Sequence, residues 1–171
     1  MIDKQWEFTG ETKIRFGITL KRIRATVEFK LKCGIVICKG ELGGWIEKES
    51  NLSDDTWVCG NARVSGNAVV SGNARVYGNA RVYGNALVSD NAEVYGDALV
   101  ESSKDYCVYK NTWSSFRWFT YTKSNKMWSV GCYYGTGAEL IARAYKDSEK
   151  SGKCYEAIVK AQEAIEKAME V

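Results

Sequence analysis

The sequence predicts a mainly β fold with α-helix at its C-terminal end. The expected architecture is a parallel β-helix of about three coils, an N-terminal β cap, and a C-terminal β-hairpin followed by two helices. Three observations carry this. Residues 41–101 repeat with a period of six, residues 1–40 alternate apolar and polar side chains, and the last third of the chain passes from aromatic strand-like runs to helical spacing. Three segments follow: an N-terminal β cap at 1–40, the repeat at 41–101, and a C-terminal module at 102–171.

Within 1–40 the run Ile23, Ala25, Val27, Phe29, Leu31 alternates strictly with Arg24, Thr26, Glu28, Lys30, Lys32, which predicts one half-buried strand over Ile23–Lys32. Gly17 is placed to turn an earlier strand, Lys13 to Phe16, into Ile18 to Leu20. Gly34 precedes the short apolar run Ile35-Val36-Ile37. A small antiparallel cap over the first coil covers an edge that would otherwise be open to aggregation. The Lys/Arg face of this cap is either a solvated strand face or an anion-binding surface.

From Gly60 the repeat reads Gly60-Asn61-Ala62-Arg63-Val64-Ser65, then Gly66-Asn67-Ala68-Val69-Val70-Ser71, and continues to Glu101. Stepping by six gives the aliphatic series Ile46, Leu52, Val58, Val64, Val70, Val76, Val82, Val88, Val94, Val100. A small residue stands two places before each, among them Gly44, Ser50 and Thr56, on the same side of an extended chain. The Gly-Asn pairs fall at corners, where glycine reaches left-handed angles at little cost and asparagine tolerates them. Burial of ten aliphatic side chains contributes roughly 1.5–3 kcal/mol each before chain entropy is subtracted.

Outward residues support three units per coil. Ser53, Ser71 and Ser89 recur, as do Cys59, Tyr77 and Tyr95, and Arg63 and Arg81. One face shows Trp45, Arg63, Arg81 and Leu99. A second shows Asn51, Val69 and Leu87 and is flat and apolar, the kind of patch that meets a partner, whether the chain's own C-terminal module or another subunit. The third shows Trp57, Arg75 and Glu93. The Asn61 to Asn91 column predicts amide ladders.

Residues 102–110 read as a linker, since Tyr106 stands where the next valine belongs. Two strands are expected near Ser115–Thr122 and Met127–Tyr134, with the turn at Ser124-Asn125-Lys126. Their aromatics are most simply a core, although with Arg117 and Lys123 they also suit a stacked planar ligand. Thr136 and Glu139 form a capping box opening a helix to about Asp147, with Leu140, Ile141 and Ala144 inward. An anion at the Gly135-Thr136-Gly137 amide end is a weaker option, because no phosphate-loop pattern is present. Gly152 is expected to break the chain before a second helix to about Met169, with Tyr155, Ile158, Val159, Gln162 and Ile165 at helical spacing.

The Gly-Asn-Ala-Arg-Val units resemble the hexapeptide repeat of left-handed parallel β-helices. The left hand is implied by that resemblance alone, since general topology favours right-handed crossovers. More closely, the chain resembles a group of phage and prophage hexapeptide-repeat proteins. The resemblance rests on Gly40-Glu41-Leu42-Gly43-Gly44-Trp45-Ile46-Glu47 with Ser50-Asn51-Leu52-Ser53, on the repeats, and on a C-terminal ββαα module seen in Phe116 to Tyr121, Val130-Gly131-Cys132 and Gly135-Thr136. It covers most of the chain.

Composition narrows function. The 171 residues carry a net charge of +3, with 45% hydrophobic and 26% charged residues, ordinary values for a globular protein. No apolar run has the length of a membrane span, and Met1-Ile2-Asp3-Lys4 opens no signal region, so a cytoplasmic protein without a membrane role is expected. Residues 1–40 hold nine Lys/Arg and four Asp/Glu, 41–101 hold four and nine, and 102–171 hold eleven and eight. That imbalance is too mild to announce nucleic-acid binding. Cys33, Cys38, Cys59, Cys107, Cys132 and Cys154 contain no Cys-x-x-Cys pair and read as scattered buried thiols. Histidine is absent. Hexapeptide acyltransferases generally use a His base, and the β-helical carbonic anhydrases a His cluster for zinc, so neither chemistry has its residue here. No catalytic residue, cofactor or metal site is expected.

The expected function is a non-catalytic phage or prophage accessory binding protein. The resemblance favours a homotrimer that binds a bacterial host defence protein or sequesters a small anionic, nucleotide-like signal, thereby inhibiting anti-phage defence. The candidate ligand-binding residues are Arg63, Arg81, Tyr77, Tyr83, Tyr95, Arg117 and Trp118. The alternatives are an acyltransferase-like enzyme working without His, and a virion or structural protein.

Overall fold

Side-chain alternation at residues 41–101 becomes a stack of two-residue strands joined by corners. The computed structural model describes residues 4–31, 34–53 and 56–170. In chain order, a hairpin of β1 (Trp6–Arg15) and β2 (Ile18–Ala25) is followed by the short strands β3 (Phe29–Lys30) and β4 (Val36–Ile37). The repeat then supplies β5 (Leu42–Ile46), β6 (Trp57–Val58), β7 (Arg63–Val64), β8 (Val69–Val70), β9 (Arg75–Val76), β10 (Arg81–Val82), β11 (Leu87–Val88), β12 (Glu93–Val94) and β13 (Leu99–Val100). Strands β14 (Tyr106–Lys110), β15 (Trp118–Thr122), β16 (Met127–Val130) and β17 (Tyr133–Thr136) form an antiparallel meander before α1 (Gly137–Asp147) and α2 (Glu149–Met169).

The repeat makes three parallel faces. Trp45, Arg63, Arg81 and Leu99 lie in register on face 1, Val69 and Leu87 on face 2, and Trp57, Arg75 and Glu93 on face 3. Each step is 18 residues, as three units per coil requires. The whole aliphatic series from Ile46 to Val100 is buried, with the alanines at the small positions beside it. Asn61 Nδ2 donates to Asn79 Oδ1 (3.4 Å), Asn79 to Asp97 (3.2 Å), Asn67 to Asn85 (3.3 Å) and Asn73 to Asn91 (3.2 Å), so the amide ladders form. The corner glycines have φ near +65°, and Asp90 takes the same corner with φ +60°.

The second unit departs from the pattern. Ser50 is exposed in a 3₁₀ turn (Glu49–Asn51), and Asn51, expected to face outward, is fully buried. Its Oδ1 accepts from Lys48 N (2.9 Å), and its Nδ2 donates to Gly66 O (3.2 Å) and Ala68 O (2.7 Å). One side-chain amide thus replaces a missing stretch of ladder, and the second unit joins β8 through the single bridge Leu52↔Val70.

The N-terminal segment caps the first coil by extending face 1: β2 pairs antiparallel with β5. Trp6, Ile23, Ala25, Leu31 and Ile37 join the solenoid core, and Phe29 packs edge-on against Trp57. The turn at Phe16-Gly17 stands as expected, but the first strand starts at Trp6. The single strand expected over Ile23–Lys32 is instead two pieces. β2 ends at Ala25, where Ala25 N and O both bond to the Gly40–Glu41 turn, and Val27 is exposed. Lys32, Cys33 and Met1–Asp3 lie outside the described residues.

At the other end the expected linker is mistaken, because Tyr106–Lys110 is a strand. Backbone N–H groups of each coil donate to carbonyls of the next, as in Ser65 N to Val82 O and Tyr83 N to Val100 O (3.0 and 2.9 Å), so the last coil presents unpaired donors. Side chains of the C-terminal module take them. Leu87 N donates to Ser103 Oγ (3.3 Å), Glu93 N to Thr120 Oγ1 (2.8 Å), Leu99 N to Ser124 Oγ (2.8 Å) and Glu101 N to Asp105 Oδ2 (2.9 Å). Tyr106 and Val108 pack over the end of the core. The module meets face 2 at its edge, through Ser103 and Tyr106 at Leu87.

The expected hairpin is part of a four-stranded sheet. Phe119, Tyr121, Trp128 and Val130 pack against Leu140 and Val159 in a second core. Thr136 and Glu139 form the capping box. The break between helices is at Ser148, which caps α2, not at Gly152. Gly152 is inside α2 because a β-carbon there would collide with the Tyr145 ring. Ile165, expected to face inward, is exposed.

Candidate ligand clefts on two faces

Face 1 carries a row of side chains set by strand register: Arg22, Trp45, Arg63, Arg81, Leu99. Adjacent members are about one strand spacing apart, roughly 4.8 Å. The tip of the β1–β2 hairpin reaches over this row. Phe16 has φ +52° beside Gly17 at +77°, and its ring stands 5.7 Å from the Arg81 guanidinium carbon. Beneath the tip is a groove of about 320 Å³ lined by Arg15, Phe16, Ile18, Leu20, Arg63, Ser65, Arg81 and Tyr83. It continues into an open cleft of about 550 Å³ that adds Asn79, Asp97 and Leu99.

The groove therefore has an apolar roof and a guanidinium floor. Arg63 Nε is buried without a hydrogen-bond partner. Burial, then Arg81 and Arg15, push the Arg63 guanidinium below its ordinary range. Among the described residues Arg15, Arg63 and Arg81 are in no ion pair with a carboxylate. Converging cations with an unpaired buried donor suit an anion.

A second, larger cleft of about 680 Å³ lies between face 3 and the C-terminal sheet, and Arg75, Tyr77, Glu93, Tyr95, Arg117, Trp118, Tyr133 and Tyr134 are in its lining. Tyr77 and Tyr95 stack with centroids 4.3 Å apart and planes at 18°, and Tyr134 meets Tyr95 edge-on at 4.5 Å. Its charges are largely internal. Arg75 Nη1 is 3.3 Å from Glu93 Oε1, while Glu93 Oε2 accepts from Tyr77 Oη (3.4 Å) and Ser129 Oγ (3.1 Å). Burial pushes the Tyr77 phenol up to about 12.

The seven sequence-derived candidates thus fall in two places. Arg63, Arg81 and Tyr83 line the groove, and Tyr77, Tyr95, Arg117 and Trp118 line the cleft. Arg15, Phe16 and Leu20 were not among them, although the basic face of the N-terminal strands was the available signal. The amide end of α1 is filled by Glu139, whose Oε2 accepts from Thr136 N (2.9 Å). The cysteines depart from the expected burial: Cys38 and Cys132 are exposed, and Cys59, Cys107 and Cys154 half-buried. Burial pushes the Cys59 and Cys107 thiols up, away from thiolate chemistry.

A parallel stack of hexapeptide strands with a β cap and a helical C-terminal module is a β-solenoid repeat protein. Four overlapping stretches, residues 58–72, 70–82, 74–90 and 80–96, match the family described as YdcK Beta solenoid repeat. No curated protein and no solved structure gave a significant match.

Proposed function

We propose that this chain is a non-catalytic binding protein that holds a small anionic, nucleotide-like ligand in the arginine groove of face 1. The observation that carries this reading is the buried, unpartnered Nε–H of Arg63, set between Arg15 and Arg81 under the apolar hairpin tip. Guanidinium pairs bind phosphate or carboxylate through forked hydrogen bonds, and Phe16 and Tyr83 offer ring faces to a planar group. The resemblance to phage and prophage proteins supports a place among accessory products that counter bacterial defence, with a nucleotide signal as the sequestered species. The resemblance to hexapeptide-repeat proteins supports self-association as a homotrimer.

Denaturing the purified protein and analysing the released small molecules by mass spectrometry identifies a carried ligand. Titration calorimetry with a panel of mono-, di- and cyclic nucleotides measures the binding. The expected result is saturable binding that weakens with salt and falls at least tenfold in Arg63→Gln. Failure of every anion in the panel to bind, with no ligand released, overturns the reading. A solution mass of one chain overturns the trimer.

A further inference from the structure

Where the groove of face 1 opens beyond the hairpin tip, Asn79, Asp97 and Leu99 join the three arginines in its lining. Asp97 is the one acid among the described residues that line the groove or this extension. It stands at the exposed corner before β13 and is in no ion pair among the described residues. Its Oδ1 accepts from Asn79 Nδ2 (3.2 Å) at the top of an amide ladder. The ladder does not call for an acid. The other two columns end in Asn85 and Asn91, whose Oδ1 atoms accept in the same way from Asn67 and Asn73 (3.3 and 3.2 Å). A carboxylate at the edge of an anion site repels the anion. It lowers affinity for every ligand except one that brings N–H groups to it, so it acts as a selector. The hairpin tip adds a second feature. Phe16 is 85% exposed and holds φ +52°, a left-handed angle that bulky side chains seldom adopt. The strained turn keeps an apolar ring in solvent above the cleft, where a planar group can stack on it.

We propose that the groove selects guanine nucleotides: the phosphate sits on Arg15, Arg63 and Arg81, the base stacks on Phe16, and Asp97 reads the edge of the base. This rests on the anion-site reading given above and names its ligand. Guanine sets two adjacent donors, N1–H and an amino N–H, on one edge. A carboxylate accepts both, because Oδ2 is free and Oδ1 has a second lone pair beyond the one Asn79 uses. Adenine turns an unprotonated N1 toward the same oxygens, lone pair against lone pair, beside a single amino donor. Hypoxanthine keeps N1–H and lacks the amino group, so it ranks between the two. A buried or half-buried acceptor left facing another acceptor is what gives such a site its discrimination.

The test titrates the full chain with guanosine, inosine and adenosine monophosphates and with inorganic phosphate, by calorimetry. The expected order is guanosine, inosine, adenosine, with guanosine monophosphate about tenfold tighter than adenosine monophosphate or more. Asp97→Asn keeps the ladder acceptor, as Asn85 and Asn91 do, so it is expected to fold; a thermal melt checks this. In that variant phosphate and adenosine monophosphate bind somewhat more tightly, since a negative charge is gone. Guanosine monophosphate weakens several-fold relative to phosphate, and its preference over adenosine monophosphate disappears. Phe16→Ala weakens all three nucleotides and leaves phosphate unchanged. Three nucleotides that bind within about threefold of one another, or a guanine preference that survives Asp97→Asn, overturn the role given to Asp97 while the anion site stands. If neither phosphate nor any nucleotide binds, the anion-site reading itself falls, and the guanine reading with it.

Discussion

The backbone N–H of Glu93 donates to the hydroxyl of Thr120 at 2.8 Å. Glu93 is in the last strand of face 3, and Thr120 lies in the middle of β15, buried. The bond joins the open end of the solenoid to the C-terminal sheet.

Thr120→Val keeps the shape and removes the acceptor. The Glu93 donor is then left without a partner at a closed interface, which costs about 1–3 kcal/mol. Urea unfolding of the wild type and the variant measures the loss. Thr120→Ser keeps the oxygen and is expected to lose less.

Ending the chain after Glu101 removes Thr120, Ser124, Ser103 and Asp105 together. The last coil then shows a row of free N–H groups on all three faces, and such an edge pairs with other chains. The expected outcome is association that grows with protein concentration, read by light scattering. A truncated product that stays at a single mass at every concentration contradicts it.

Asn51→Ala leaves Gly66 O and Ala68 O without their donor in a closed corner, and Lys48 N without its acceptor. The expected destabilisation is at least about 2 kcal/mol, since each orphaned buried group costs of that order. Asn67→Ala breaks a ladder bond at an exposed corner and costs less, about 0.5–1.5 kcal/mol. Thermal melts of the two variants side by side check the ranking.

Tyr77 sets an alkaline limit. Its phenol is pushed from 10.0 to about 12, mainly by burial. Between those values the native state keeps a proton that the unfolded chain releases, so this contribution to stability is full below about pH 10 and is lost as pH rises through about 12. Ultraviolet titration should show a late tyrosine step that shrinks in Tyr77→Phe, with Tyr121, pushed up by burial and by Glu166, still contributing to it. The unfolding midpoint of Tyr77→Phe should also fall less steeply over that interval.

Much of the fold was legible because period six is a local property. Each Val64-type residue is buried by its own alternation, and each Gly-Asn corner by its own backbone angles, so the three faces and their 18-residue register could be read from spacing alone. What escaped depends on partners distant in sequence. Tyr106–Lys110 shows no valine phase because it pairs with Trp118–Thr122 and lays Tyr106 and Val108 across the end of the stack. Alternation through Ile23–Lys32 runs past the strand end at Ala25, because a tertiary turn, not the pattern, stops the pairing. Gly152 reads as a breaker, yet it serves the approach of Tyr145, and the break falls to Ser148. The outward columns gave Arg63, Arg81 and Tyr83. The groove over them needs the hairpin tip at Phe16, whose fold across face 1 leaves no periodic trace.

Every rung hands its hydrogen bonds to the rung 18 residues later, while the backbone ladder is joined to the two terminal fittings at its first and last rungs. Rod length is therefore a free variable. Duplicating one 18-residue stretch within 63–98 would add a storey and leave both fittings mated. Losing six residues instead would turn the upper fitting by a third of a revolution and present its hydroxyls to the wrong walls. Lineages carrying this scaffold should thus differ in height by whole storeys.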